Sequence, residues 1–213
     1  MTHWNDALCD VRKAYRLVAA YQERVARTIQ ALSAEFPSHR YYTWAPLQID
    51  RLITKGKAPH LDRSPWDALP LYHYSVLLLP RGADPMRIRK GQCMIEFNIE
   101  TDTSFDIEDD EQLGPDGHPD PAKLVPAADS GSALRIVGWF AEKTPYGGKS
   151  WFDDLWMEHD WPDEAGHVKK LEGECCSSFM MRWPLDEVFG APDLAVFATR
   201  FKKALAEKTN IRL

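Results

Sequence analysis

The sequence predicts an α+β fold: an antiparallel four-stranded sheet, with room for a fifth strand, covered on one face by a long N-terminal helix and a C-terminal helix. Three observations lead there. An apolar stripe with helical spacing runs through the first 36 residues, four later segments carry strand patterns with no regular crossover helices between them, and a second helical stripe closes the chain.

The first stripe is Trp4, Leu8, Val11, Tyr15, Val18, Gln22, Val25, Ile29, Leu32 and Phe36, with steps alternating between four and three and only Gln22 polar. Such spacing keeps every side chain on one side of an α-helix about 50 Å long. Taken as a coiled coil, Leu8, Tyr15, Gln22, Ile29 and Phe36 occupy a, and Trp4, Val11, Val18, Val25 and Leu32 occupy d. Parallel pairs favour β-branched residues at a and charge at e and g. Here the valines sit at d, and the flanking positions are mostly alanine, tyrosine, threonine and serine. A core-facing helix covered by its own chain is therefore the favoured reading, with a dimeric coil as the alternative.

Pro37 stops that helix. Residues 38–70 form an irregular, proline-punctuated stretch rich in aromatics, in which Leu47–Ile53 suits a short helix ended by Gly56. Strands are expected at Leu71–Leu79, Gln92–Thr101, Ala133–Ala141 and Glu174–Trp183. In the second, Cys93, Ile95, Phe97 and Ile99 alternate with Met94, Glu96, Asn98 and Glu100, which reads as one buried and one wet face. In the third, Leu134, Ile136 and Phe140 oppose Arg135, Val137 and Trp139. Residues 102–132 lack periodicity and are rich in Pro, Gly and acid, too long for an ordinary connection. Ser150 followed by Asp153 resembles a capping box for a short helix Trp151–His159. Asp193 caps a last helix, Leu194–Lys208, with Leu194, Phe197, Phe201 and Leu205 inward. The whole of 1–213 is expected to form one domain.

The chain has a net charge of −6, unevenly spread. Residues 1–58 carry +4, whereas residues 96–164 hold four Lys/Arg against eighteen Asp/Glu, a local −14. Phosphate contacts need clustered cations, so nucleic acid is disfavoured as a partner. No apolar run suffices to span a membrane, and no signal-peptide pattern is present. The four cysteines (Cys9, Cys93, Cys175, Cys176) show neither zinc spacing nor a disulfide framework, which suits a reducing cytoplasm.

Two clusters stand out. In 146–163, Trp151, Trp156 and Trp161 are interleaved with Asp153, Asp154, Glu158, Asp160 and Asp163. Indole anchors ringed by charge suit a protein interface; the competing reading is that Phe152, Leu155 and Trp156 plug one end of the sheet. On the 92–102 strand, Glu96, Asn98 and Glu100 share one face, with i and i+2 about 6.8 Å apart, and Asp102 extends the row if the strand continues; Glu96, Glu100 and Asp102 could then share a divalent metal or acid–base work. There the competing reading is a solvated outer face with Arg135 in a cross-strand ion pair. The acidic run Asp106–Glu111 lacks the ligand spacing of an EF-hand loop.

No nucleophile elbow, zincin pair, P-loop or dinucleotide fingerprint is present. The leading expectation is thus a cytoplasmic protein-binding module of inhibitor, immunity or adaptor type. It would meet a basic partner through Trp151, Trp156, Trp161, Asp153, Asp154 and Glu158, with no cofactor, as a monomer or homodimer. The alternatives are a metal-dependent hydrolase or nuclease using Glu96, Glu100 and Asp102, and a binder of a small apolar ligand held between sheet and helices.

Overall fold

A computed structural model describes residues 2–47, 72–105, 113, 120, 122–171 and 175–213. Leu47 apart, the short helix expected at Leu47–Ile53 lies outside the described residues, as do the acidic run Asp106–Glu111 and part of the 102–132 loop.

The chain begins with one continuous helix, α1 (Thr2–Ala34). Among the described residues six strands follow: β1 (His39–Pro46), β2 (His73–Pro80), β3 (Cys93–Glu100), β4 (Ala133–Ala141), β5 (Val168–Lys170) and β6 (Cys176–Pro184). They form one antiparallel sheet in the order β1-β2-β3-β4-β6-β5. Two helices, α2 (Leu185–Gly190) and α3 (Ala195–Lys208), end the chain. The fold is α+β with an antiparallel sheet, as the sequence predicts, but with six strands where four or five were expected. β1 lies inside the stretch read as irregular, and β5 has only three residues.

The first face of the sheet holds the main core. Cys93, Ile95, Phe97 and Ile99 of β3 meet Leu134, Ile136 and Phe140 of β4, and Phe179 of β6. Val25, Ile29 and Leu32 of α1 cover them together with Phe197, Phe201 and Leu205 of α3. Phe36 knits these layers, with its ring 5.8 Å from Phe97 and 6.3 Å from Phe201. Both terminal helices therefore cover the same face.

α1 departs from the expectation that its stripe is covered throughout. Only its second half is: Val25 and Leu32 are fully buried, whereas Leu8, Val11 and Tyr15 are 51%, 48% and 67% exposed. The helix is longer than the sheet it crosses, so its N-terminal half runs past the body.

The second face is also dry, contrary to the wet face expected from alternation. Leu77, Leu79, Met94, Val137, Trp139 and Met180 form a second core with Trp151, Leu155, Trp156 and Leu171 of the segment that crosses them. Every residue of β3 and β4 is buried.

Gly138 sits where α3 approaches β4. A Cβ there would lie 3.2 Å from Phe201 Cζ and 3.3 Å from Cys93 Sγ. The Phe201 ring is packed against Phe36 and Phe179 and has little room to retreat. Gly138→Val is therefore expected to cost about 1–3 kcal/mol by overpacking, read as a lower midpoint in urea unfolding with unchanged slope.

Candidate functional site

The polar residues of β3 do not face water; they form a buried network under Trp161. Register explains the assembly. Ser75, Asn98, Arg135 and Arg182 occupy one row across β2, β3, β4 and β6, with Glu100 paired to His73 on one side and Glu96 to Leu77 on the other. Successive residues on these strands alternate faces, so all of these polar side chains share the second face.

Glu96 is 0% exposed. Its carboxylate accepts from Ser75 Oγ at 2.5 Å, from Trp139 Nε1 at 2.7 Å, and from Trp161 Nε1 at 3.1 Å to both oxygens. Trp156 contributes a further donor. An indole N–H can only donate, so the surround is built to feed an acceptor. Burial nevertheless pushes the Glu96 carboxyl above its usual range, with the hydroxyl and indole donors opposing it.

From Glu96 the hydrogen bonds run on through β3. Asn98 Nδ2 donates to Ser75 Oγ at 3.0 Å, and Arg135 donates to Asn98 Oδ1 at 3.2 Å. His73 Nε2 lies 3.2 Å from Asn98 Nδ2. Arg135 and Arg182 both reach Glu100 Oε2, at 2.9 and 3.2 Å. Trp161 closes the network from above, its ring 5.5 Å from the Arg135 guanidinium carbon and 5.8 Å from the His73 ring.

Trp161 is delivered by residues 146–171. Gly147 and Gly148 both have positive φ, a conformation that L side chains rarely adopt, and turn the chain over the sheet. Ser150 then caps a single π-helical turn, Trp151–Trp156, by accepting from the backbone N–H groups of Asp153 and Asp154 at 3.0 and 3.1 Å. The reciprocal bond, from Ser150 N–H at 2.7 Å, goes to Asp154 rather than the expected Asp153. A π turn bonds i to i+5, as Met157 N–H does to Phe152 O, so the box opens by one residue. That bond holds the Asp154 carboxyl below its usual range. Lys169 Nζ donates to the Trp161 carbonyl at 3.0 Å and anchors the far end to β5.

Each residue singled out from sequence can now be placed. Trp151 and Trp156 are buried in the second core, and Trp161 is half-buried on Glu96. The three indoles thus face the sheet and are not the surface anchors that the sequence reading made of them; of the plug trio, Leu155 and Trp156 are buried in the second core and Phe152 is half-buried. Asp153, Asp154 and Glu158 are exposed on the outer side. Glu96 and Glu100 do share a face, but each is engaged by different partners. Asp102 leaves the row and accepts from the Ser104 backbone and hydroxyl at 3.0 and 2.7 Å. Among the described residues, no three His, Cys, Asp or Glu side chains are placed to hold a metal. His73, Ser75 and Arg182 were missed: the available clue was the spacing of two between His73 and Ser75, and of four between Ser178 and Arg182, which puts each pair on one strand face.

A family profile described as PM0109 matches residues 1–192, a span that contains α1 and the whole sheet. The chain belongs to the PM0109 family. It is 28% identical over 174 residues to the protein named "Uncharacterized protein PM0109" of Pasteurella multocida (strain Pm70), covering 80% of this chain and 76% of that protein. No solved structure matches the chain. The family description carries no activity, so the functional reading rests on the geometry.

Two outcomes test the network. Glu100→Ala removes the carboxylate that Arg135 pairs with, and that side chain is only 10% exposed, so the change is expected to cost about 3 kcal/mol or more in chemical unfolding. Glu96 binds its proton more tightly folded than unfolded, so its stabilising contribution is present at low pH. That contribution is lost as pH rises from the ordinary value of 4.5 through the raised folded one. The stability of wild type relative to Glu96→Gln should therefore fall as pH rises through that window; a flat difference contradicts the raised value.

Proposed function

We propose that the protein is a protein-binding module of inhibitor, immunity or adaptor type that presents an acidic surface to a basic partner. One observation carries the reading: the 151–164 segment turns its indoles inward and its carboxylates outward. Asp153, Asp154, Glu158 and Asp160 are exposed on a backbone held by the Ser150 cap, the second core and the Trp161–Glu96 contact. A platform fixed in advance loses little entropy on association, and concentrated negative charge speeds encounter with a cationic surface. The tryptophans act as internal anchors of this platform. An enzymatic role for Glu96 fits less well, because no part of its side chain reaches solvent.

A second reading, a small apolar ligand, is favoured by a groove of about 530 Å³ between the second half of α1 and strands β1 and β2. Ile29, Tyr74, Val76 and Leu78 line it, with Arg40 and Arg81 supplying positive charge for a ligand with an acidic end. Among the described residues no helix is long and apolar enough to cross a membrane. None of the four cysteines is in a disulfide, which suits a reducing, cytoplasmic setting.

Glu158→Lys with Asp160→Lys reverses two charges and leaves the Ser150 cap untouched. Affinity capture by the tagged full chain, with captured proteins identified by mass spectrometry, is expected to retain a basic partner. Its affinity should drop at least tenfold in the double variant, roughly 1.4 kcal/mol, and also fall with salt. Capture that ignores both changes overturns the reading. For the groove, native mass spectrometry of gently purified protein should show an adduct that Val76→Trp removes; a clean chain mass counts against it.

A further inference from the structure

The N-terminal half of α1 has the features of an interface. Trp4, Leu8, Val11, Tyr15 and Val18 continue, at the same four-and-three spacing, the line along which Val25, Ile29 and Leu32 enter the core. The line is therefore one face of one helix, buried at its C-terminal end and open at its N-terminal end. A contiguous apolar strip of this kind on a folded domain marks an association site.

We infer that the occupant is a second copy of this chain, its α1 laid antiparallel on the first and centred near Val11. Three observations select it. First, the open strip lies on the same side of the helix as the domain body. A parallel copy would drive its own body into that of its neighbour, whereas an antiparallel copy sends its body to the opposite end. Second, the open strip runs from Trp4 to Val18 with Val11 at its midpoint, so antiparallel pairing about Val11 opposes the whole strip to its own copy. Opposed helix dipoles add to this. Third, the area is adequate. Trp4 and Tyr15 are 76% and 67% exposed, and an aromatic side chain buries about 150–250 Å². The rings of two copies thus supply roughly 400–700 Å² before Leu8, Val11 and Val18 are added, toward the about 1,200 Å² at which specific interfaces begin. Pairing near Val11 places Trp4 of each copy beside Val18 of the other.

The inference does not depend on the acidic surface and is tested apart from it. Sedimentation of the full chain across roughly 1–100 μM, the range of ordinary transient association, should give twice the mass of the chain. Leu8→Asp with Val11→Asp should return the mass to that of one chain. Both sites are solvent-exposed, so circular dichroism and the unfolding midpoint should stay unchanged. A wild-type monomer throughout, or a dimer that survives the double substitution, overturns the inference. Orientation is read in a Cys9→Ser background, using one chain with Trp4→Cys and a differently tagged chain with Val18→Cys. Oxidation of the mixture should link the two different chains. Each variant linking to itself instead would overturn the antiparallel arrangement.

Discussion

A carboxylate at the centre of a six-stranded sheet dictates what must surround it. Glu96 sits on β3 with strands on both sides and a packed layer on each face. A buried acceptor without donors costs far more than a hydrogen bond returns. Strand neighbours can offer only what their register allows, which here is Ser75 and Trp139. The remaining donors must come from above, and residues 146–171 bring Trp156 and Trp161. The covering of the second face, the turn at Gly147–Gly148 and the π-helical Trp151–Trp156 turn are thus parts of one solution. An apolar residue at position 96 would offer those indoles no acceptor; the two carboxyl oxygens fix where the segment sits.

Much of the frame was legible in the sequence. Strict alternation in 93–100 and in 133–141 gave the correct division of faces, and the 3–4 spacings gave α1 and α3. The meaning of the polar face was not legible. Alternating polar residues read equally well as a wet surface or as a satisfied interior, and the choice rests on residues 60 and 65 positions downstream of Glu96, at Trp156 and Trp161. β1 was hidden because its sequence, HRYYTWAP, carries a bulge after Tyr41 and ends in proline, which breaks the period-two pattern. β5, at three residues, is below the length at which a pattern exists. Tryptophan clusters misled for a related reason: the same large amphipathic side chain serves hot spots and buried anchors alike, and only burial separates them.

The two surfaces left open differ in character. One is a plate of fixed negative charge on the second face, the other an apolar strip on a helix that outruns the first. They lie on elements packed against opposite faces of the sheet, so occupation of either need not hinder the other. On the two readings proposed above, a second copy would sit on one element and a basic partner on another.

The borders of the sheet also bear on this. β1 is kinked by its bulge and stopped by Pro46, and β5 is brief and carries Lys169 and Lys170. Bulges, prolines, short strands and lysines are the devices by which exposed backbone ladders are kept from recruiting foreign strands. Pairing by a foreign strand is thereby discouraged at both margins.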